Sequence, residues 1–525
     1  MLFHTLPFLL YMAVVAPGFY ALRRTPFWLP WLLAASYFFY GWWNPWYLLL
    51  VVYSTGLDFL LVLLMDHCPA RGEPCTPRRD RTLRWALAAF GGSAAALAVV
   101  AVAGPAALRP TLIAFTVLVG LMAVGATLAD RRMWLFISLF NNLFLLLFFK
   151  YARFVAENLN AALAALGSPV MMPDPASLTP PGWEYLLPVG ISFFTFQSMS
   201  YTIDFYLGRV ERERSLLRFA TFVCFFPQLM AGPIERARHM LPQFRQAQPF
   251  RPANLTDGLS LFLVGLFKKL ALANYLSLYV ERVYADPASF PSQDLLLATF
   301  AFAWQIFFDF SGYTDMARGV AKIIGFDLAL NFRNPYTATG LGDFWQRWHI
   351  SLSSWFRDYV YIPLGGSRGG KAATYRNLFI TFLVSGIWHG ANWTFAIWGV
   401  MHALGVIATR ELERSPFYLH RVPRLVKQAG VFAYVCVAWV FFRAADVPQA
   451  LLILRRMFAG PMTLSAAPGL MLALIGCVWL YQFLYESRLR PLLTAAPLRV
   501  GLAAGMLVYL ALCSSGGGAF IYFQF

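Results

Sequence analysis

The chain has 525 residues, of which 59% are hydrophobic and 13% charged, and its mean hydropathy is +0.58. These values exclude an ordinary soluble domain, in which about 25% of residues are charged. The net charge of +17 does not require a nucleic-acid partner, because cytoplasmic loops of membrane proteins are rich in Lys and Arg. The six cysteines form no Cys-x-x-Cys pair, so neither a disulfide framework nor a metal site is predicted.

Apolar runs long enough to cross the ~30 Å hydrocarbon core of a bilayer recur along the chain. In lipid the backbone must satisfy its own hydrogen bonds, which leaves helices or closed barrels, and these runs are too long for barrel strands. The sequence therefore predicts an all-α, polytopic integral membrane protein with roughly 11–13 membrane helices. With no internal repeat and no soluble domain, residues 1–525 are expected to form a single membrane domain.

The first 24 residues lack the basic n-region and the clear small-residue cleavage site of a signal peptide, so we expect a retained first span. Within 27–65, the Asn44-Pro45 pair marks a turn between two short spans. The arginine-rich stretch 71–84 is predicted to be cytoplasmic. Two further apolar runs then predict a helical hairpin over 86–130, with both of its ends on the cytoplasmic side.

Spans are predicted next at 133–149 and 185–207. The Pro-rich loop between them, 168–183, carries no Lys or Arg and is placed on the extracytoplasmic side. The apolar piece 219–233 has basic residues on both sides and contains Pro227, which predicts a re-entrant or interfacial segment rather than a span.

In the second half, residues 331–376 carry an excess of Lys and Arg and are predicted to lie at the cytoplasmic face as an amphipathic helix followed by a basic loop. The remaining apolar runs predict membrane segments at 257–280, 295–312, 377–409, 429–442, 467–485 and 498–513.

The stretch "FFDFSGYTDMARG" (307–319) places polar side chains directly after an apolar run. Ionisable residues inside a membrane are candidates for function because their burial is costly. Asp309, Ser311 and Asp315 are therefore candidates for lining a substrate path. The alternative is a structural role, in which the residues cap the helix end and Arg318 pairs with Asp315.

The stretch "DFWQRWHISLSSWFRDYVYIPLGGSRGG" (343–370) is periodic in aromatic residues. At ~100° per residue, one helix would carry a single apolar arc, made of Trp345, Trp348, Leu352, Trp355, Phe356 and Tyr359. Charged residues lie opposite this arc, and His349 lies at its edge near Trp345. The pattern predicts an amphipathic helix at the membrane interface. A structural, hydrogen-bonded His349 is the alternative to a functional one.

The glycine-rich basic stretch that follows could receive phosphates through backbone N–H groups and the side chains of Arg368 or Lys371. Arg347, on the preceding helix, is a third candidate for binding the phosphates of a substrate. The stretch lacks the spacing of a nucleotide-binding loop, and binding of lipid headgroups is the alternative reading.

The third cluster, "SGIWHGANWTF" (385–395), places His389 inside an apolar run between Gly386 and Gly390. Small neighbours allow a helix or a substrate to approach closely. Burial disfavours imidazolium, so a neutral ring that could act as a general base is expected. Asn392 could orient the ring or hold a substrate oxygen, and Trp388 would line the same space. A single histidine in a span can equally be structural, and His402 is interpreted as structural.

These motifs, with "FFPQLMAGPIER" (225–236), "LPVGISFFTFQSMSYTIDFY" (187–206), "ASYFFYGWW" (35–43) and "FIYFQF" (520–525), resemble those of the membrane-bound O-acyltransferase (MBOAT) family, and more narrowly its bacterial alginate O-acetyltransferase branch. The resemblance covers most of the chain. Residues 86–130 depart from it, because relatives lack these two apolar runs.

The resemblance implies a ring of tilted helices around a thin core that a tunnel pierces. It places His389 on the family's essential histidine and His349 on its second histidine. It also implies acetyl transfer from cytoplasmic acetyl-CoA across the bacterial inner membrane to an exopolysaccharide such as alginate, through a periplasmic acetyltransferase partner. No permanently bound cofactor is expected. The alternatives are acyl or D-alanyl transfer to another envelope acceptor, and a proton-coupled transporter with Asp309, Asp315 and His389 as a relay.

Overall fold

The computed structural model of the chain describes residues 1–66, 131–178, 185, 187–230, 232–463 and 468–513. Every regular element in these ranges is a helix, which confirms the all-α prediction. Six of these helices are long and apolar enough to cross a membrane, and Leu6–Leu22 and Gly469–Tyr485 are shorter apolar helices. This count covers the described ranges alone, in which several predicted apolar runs are divided between shorter helices. The predicted hairpin 86–130, the stretch 179–183 and the terminal motif 520–525 lie outside the described residues.

In chain order the helices are α1 (Leu6–Leu22), α2 (Trp28–Gly41), α3 (Pro45–Asp66), α4 (Arg131–Ala165), α5 (Ile191–Tyr206), α6 (Leu216–Cys224), α7 (Phe226–Leu229), α8 (Ala237–Met240), α9 (Pro252–Ala285), α10 (Ser292–Ile323), α11 (Leu341–Arg347), α12 (Ile350–Phe356), α13 (Gly370–His389), α14 (Trp393–Leu412), α15 (Pro416–Arg421), α16 (Arg424–Arg443), α17 (Val447–Ala459), α18 (Gly469–Tyr485), α19 (Arg490–Leu493) and α20 (Ala496–Cys513).

The chain divides into two compact units. The first comprises Met1, Pro17–Met230 and Glu235–Ala247, and the second comprises Leu2–Ala16, Ala231–Ile234 and Gln248–Phe525. All the candidate site residues named above belong to the second unit, so this unit alone positions the site.

In the first unit, α4 packs against α3 and α5 around a buried polar group. The side chain of Asp58 accepts hydrogen bonds from Ser138 Oγ at 2.7 Å and from Asn142 Nδ2 at 3.0 Å. These bonds offset part of the free-energy cost of burying a carboxyl group, because a buried polar atom without a hydrogen-bond partner is unfavourable.

In the second unit, α9 and α10 pack antiparallel with their backbones in close contact. A Cβ atom added to Gly265 would lie 2.4 Å from the carbonyl oxygen of Gly312, and one added to Gly258 would lie 2.7 Å from that of Gly319. Both helices therefore need glycine at these crossings, as small-residue helix interfaces in membranes generally do.

Several predicted spans have different boundaries in the structure. The helix predicted over 185–207 begins only at Ile191, because Gly190 adopts φ 76° and its Cα approaches the Leu229 carbonyl. In the described part of 219–233, the end of α6 and the four-residue α7 are separate helices. The re-entrant or interfacial position of this segment stays a prediction. The span predicted at 133–149 is part of the longer helix α4, which continues through a π-helical turn at Leu147–Tyr151.

The run 377–409 was predicted as one apolar segment with His389 in its middle, and this prediction is wrong. The run is divided between α13, which ends at His389, and α14, which begins at Trp393. The break occurs because Gly390 is extended and Asn392 caps the next helix, its side chain accepting a hydrogen bond from the Thr394 N–H at 3.0 Å.

Candidate active site

His389 is the last residue of α13, and its ring is 5% exposed. Three aromatic rings from three different helices surround it edge to face. The centroid separations are 4.9 Å to Trp388 of α13, 4.9 Å to Trp398 of α14 and 5.4 Å to Phe442 of α16. The imidazole is thus held in a rigid aromatic environment at a helix end, where the backbone no longer forms regular helical hydrogen bonds.

The small residues on either side of His389 admit α14, as the sequence predicted for a close neighbour. A Cβ atom on Gly386 would lie 2.4 Å from the Phe395 carbonyl oxygen, and one on Gly390 would lie 2.1 Å from the Phe395 ring. Asn392 supports the same turn, because its Nδ2 donates to the Ala445 carbonyl at 2.8 Å while its Oδ1 caps α14. These contacts give Asn392 a structural role, and its proposed contact with a substrate stays a prediction.

The single helix predicted to carry the arc from Trp345 to Tyr359 is broken at Trp348 and His349. His349 adopts φ 43° and ψ 55°, a left-handed conformation that is uncommon for a residue other than glycine. The break is possible because an extended segment supplies backbone partners. Arg333 N–H donates to the Arg347 carbonyl, and Ile350 N–H donates to the Asn331 carbonyl, both at 2.9 Å. Residues held in such conformations concentrate at functional sites.

The side chain of Asn331 determines which ring nitrogen of a neutral His349 carries the proton. Asn331 Oδ1 lies 3.2 Å from the Ser351 backbone nitrogen, which can only donate, so the amide orientation is determined. Oδ1 can only accept, and it also lies 3.1 Å from His349 Nδ1. The proton of a neutral His349 ring therefore resides on Nδ1, and the lone pair resides on Nε2. The ring is fully buried between Phe310 and Phe332, and this burial lowers the pKa of His349 to about 3.

A layer of tryptophans connects the surroundings of the two histidines. Trp398, which contacts His389, lies 6.0 Å from Trp439, and Trp439 lies 5.1 Å from Trp348, the residue before His349. Trp345, a further candidate for lining a substrate path, donates from Nε1 to Nδ1 of the buried His402 at 3.3 Å. Its contact with a substrate stays a prediction. Five residues of the predicted aromatic arc are buried, and Tyr359 is half-buried. The position of the arc at a membrane interface stays a prediction.

The acidic candidates on α10 are paired with adjacent lysines of α9. Lys269 Nζ lies 2.7 Å from Asp309 Oδ1, and Lys268 Nζ lies 2.7 Å from Asp315 Oδ2. Arg318, the partner predicted for Asp315, is also close to it, at 3.9 Å. Ser311 lies between Asp309 and Asp315 in sequence. It is buried, and its Oγ has no hydrogen-bond partner among the described residues.

The three basic candidates differ in availability. Arg347 forms ion pairs at 2.7 Å with both Asp343 and Glu486, so its guanidinium is engaged within the protein. Lys371 Nζ lies 2.5 Å from Glu411 Oε2, on an exposed surface. Arg368 is exposed in a turn whose four glycines, at 365, 366, 369 and 370, all have positive φ.

Asn331 and Lys269 were not identified from the sequence. Asn331 lies in an extended segment, where no helical or strand periodicity indicated burial. Lys268 and Lys269 interrupt the apolar run 257–280, and charged residues inside a predicted span were the signal that would have found them. No group of three or more His, Cys, Asp or Glu side chains that could hold a metal ion occurs in the described ranges.

The sequence of the chain is similar to those of known membrane-bound enzymes. Residues 189–445, which include both histidines, match the MBOAT, membrane-bound O-acyltransferase family. The chain is 39% identical over 332 residues to a probable alginate O-acetylase of Pseudomonas syringae pv. tomato, with 62% of this chain and 61% of the relative covered. It is 39% identical over 341 residues to that of Pseudomonas putida (64% and 67% covered). It is 35% identical over 356 residues to a peptidoglycan O-acetyltransferase of Helicobacter pylori (63% and 65% covered).

The aligned part spans about 61–67% of the length of these relatives. Within it the identity is far above what chance alignment would give over more than 300 residues, and the matched region contains the helices that position His349 and His389. The chain is a multi-pass membrane protein and belongs to the membrane-bound O-acyltransferase family.

Proposed function

We propose that the chain is an O-acetyltransferase that moves an acetyl group from cytoplasmic acetyl-CoA across the bacterial inner membrane toward an exopolysaccharide such as alginate. A periplasmic acetyltransferase would complete the delivery to the polysaccharide. The observation that carries the proposal is His389, a buried imidazole at a helix end enclosed by Trp388, Trp398 and Phe442. Family membership and the alginate O-acetylase relatives support the acyl class and the acceptor class.

The reaction requires a general base and the carbonyl group of an acyl donor. The hydroxyl oxygen of the acceptor forms a bond to the acyl carbon while its proton passes to the His389 imidazole. The bond between the acyl carbon and the thioester sulfur breaks, and the leaving thiolate takes up a proton. His349, with its lone pair on Nε2, would assist the same transfer close to the donor. General-base catalysis of this kind contributes ~10²–10⁴-fold to the rate.

The direct test uses the purified full-length chain in proteoliposomes with acetyl-CoA labelled in the acetyl group and an alginate oligosaccharide as the hydroxyl acceptor. Donor consumption and labelled product are measured for the native chain and for His389→Ala. Acetyl-CoA turnover that depends on His389 would support the proposal. Turnover that is absent in the native chain, or equal in the variant, would contradict it.

A second acceptor is favoured by one observation, the 35% identity to a peptidoglycan O-acetyltransferase. D-alanyl transfer to another envelope polymer is a further possibility within the family. The acceptors are separated by deleting the gene in its host and measuring ester-linked acetyl groups in the exopolysaccharide and in the peptidoglycan. Loss from the exopolysaccharide alone is the expected result, and loss from peptidoglycan alone would assign the other acceptor.

A further inference from the structure

The oxygen of the buried Asn331 side-chain amide accepts hydrogen bonds, but the nitrogen has no hydrogen-bond partner among the described residues. Its Oδ1 faces three donors, which are the Ser351 N–H at 3.2 Å, the Ser351 hydroxyl at 3.0 Å and His349 Nδ1 at 3.1 Å. Its Nδ2, on a side chain that is 1% exposed, has no hydrogen-bond partner in the part of the chain that the structure describes. A buried N–H group without a partner costs free energy, and such a group requires an explanation.

The unused donor has a fixed direction. Three donors hold Oδ1, so the amide cannot rotate without losing all of them, and the carboxamide plane is therefore set before any ligand arrives. The backbone of the same residue is also fixed, because the Asn331 carbonyl accepts from Ile350 N–H. Preorganised donors in a site that excludes water are the arrangement that stabilises developing negative charge on oxygen.

The position of this donor relates it to His349. The same Oδ1 that orients the amide contacts Nδ1 of His349, so the Nδ2 donor and the imidazole belong to one hydrogen-bonded unit. Ser351 is the third residue of this hydrogen-bonded group, and its Oγ also accepts a hydrogen bond from the Ile234 N–H at 3.0 Å. A substrate carbonyl group next to His349 would therefore meet both the neutral imidazole and the N–H donor of Asn331. These two groups are held in fixed positions relative to each other.

We propose that Asn331 Nδ2 donates a hydrogen bond to the carbonyl oxygen of the acyl donor. The inference rests on the proposed function, since it takes acetyl-CoA as the donor. As the acceptor oxygen bonds to the acyl carbon, the carbonyl oxygen gains negative charge and the bond from Nδ2 strengthens. It weakens again when the carbon–sulfur bond breaks. Losing one such donor costs a factor of ~10²–10³ in kcat in other acyl-transfer enzymes.

The test compares two ligands that differ only in the carbonyl group. Acetyl-CoA and S-ethyl-CoA, in which a methylene replaces the carbonyl, are titrated against the full-length chain in detergent. The native chain should prefer acetyl-CoA by about 2- to 12-fold, which corresponds to ~0.5–1.5 kcal/mol at ~1.4 kcal/mol per tenfold. Asn331→Asp retains an acceptor for the three donors but lacks the N–H, so this preference should disappear.

Ser351→Ala is the matched control. It disturbs the same network and leaves the Ile234 N–H without its acceptor, yet it keeps the Asn331 amide. It should therefore retain the preference for acetyl-CoA even if it lowers stability. A preference that survives in Asn331→Asp, or is lost equally in both variants, would overturn the role of Nδ2. Failure of the native chain to bind either ligand would instead overturn acetyl-CoA as the donor, and this inference with it.

Discussion

Lys269 Nζ lies 2.7 Å from Asp309 Oδ1, and the two side chains are only 2% and 4% exposed. The pair joins the π-helical turn of α9 to the middle of α10, just beyond the crossing of Gly265 and Gly312. A buried ion pair is weak evidence for stability, because desolvation offsets much of the Coulomb attraction. Removing one partner is nevertheless costly, because it leaves a buried charge without its counter-charge.

We therefore expect Asp309→Leu to destabilise the chain by ~3–5 kcal/mol, and the double variant Lys269→Met/Asp309→Leu to recover most of the loss. Thermal unfolding in detergent measures both. Lys371→Ala, which removes an exposed ion pair with Glu411, is the control and should cost only ~0–1 kcal/mol. A double variant that unfolds as easily as Asp309→Leu would show that the two charges do not act as a pair.

The second prediction concerns the two buried histidines that share Trp398. Trp398 lies 4.9 Å from the His389 ring and 4.6 Å from the His402 ring. His389→Ala should lower acetyl transfer by ~10²-fold or more with little loss of folded protein, since it removes the proposed base. His402→Phe, which keeps a planar ring in place, should retain most of the activity. Activity above about a tenth of native in His389→Ala would remove His389 from the catalytic role.

The third prediction concerns the exposed basic loop. Arg368 should contribute to donor binding through the phosphates of acetyl-CoA, and Arg368→Gln should weaken binding about fivefold, as expected for ~1 kcal/mol between charges in water. The affinity should also become less dependent on salt, because an attraction that salt screens has been removed. Arg414→Gln, which neutralises another exposed arginine near Glu411, is the control. Equal effects of the two substitutions would assign the loop to general surface charge rather than to the donor.

Sequence patterns predicted the buried positions of this fold better than its breaks. Five of the six residues assigned to one apolar arc are buried, and the sixth, Tyr359, is half-buried. The break beside them was not predictable from periodicity, because it depends on backbone partners at 331 and 333, far from it in sequence. The end of α13 was missed for a similar reason. The hydropathy of the run 377–409 predicted one segment, although Gly390 and Asn392 could have indicated a break after His389.

Pairings between helices were equally beyond one sequence. Asp309 was identified as a candidate because it is ionisable and follows an apolar run, but its partner Lys269 is 40 positions away. Their contact depends on the register between α9 and α10, which the glycine crossings set only once the helices pack. Asn331 was missed for a related reason, since its role comes from Ser351 and His349 rather than from its neighbours in sequence.

The fourth prediction is a pH dependence of stability. Burial lowers the pKa of His349 to about 3, below the value of about 6.5 in an unfolded chain. The unfolded state therefore takes up a proton first, and the stability due to the neutral ring is present above pH ~6.5 and is lost as the pH falls toward 3. The loss should approach ~1.4 kcal/mol per pH unit.

Thermal unfolding of the native chain and of His349→Gln between pH 7.5 and pH 4.5 checks this, because glutamine does not titrate. The variant should show a shallower decline in stability on acidification. His420→Gln, which replaces an exposed imidazole on α15, is the control variant. Parallel slopes for the native chain and His349→Gln would mean that the acid sensitivity originates elsewhere.

The last prediction tests whether His349 and His389 act on one reaction and face one continuous cavity. Trp398, Trp439 and Trp348 connect their surroundings, and His349 has the conformational and protonation constraints expected of a functional residue. His349→Ala should reduce turnover more than stability, though less than His389→Ala does. If both groups serve a single transition state, the double variant should be about as slow as His389→Ala alone, because effects of residues that act as a unit do not add. Rates of acetyl transfer for the native chain, the two single variants and the double variant give the coupling directly. Barrier effects that simply add would place the two histidines in independent roles.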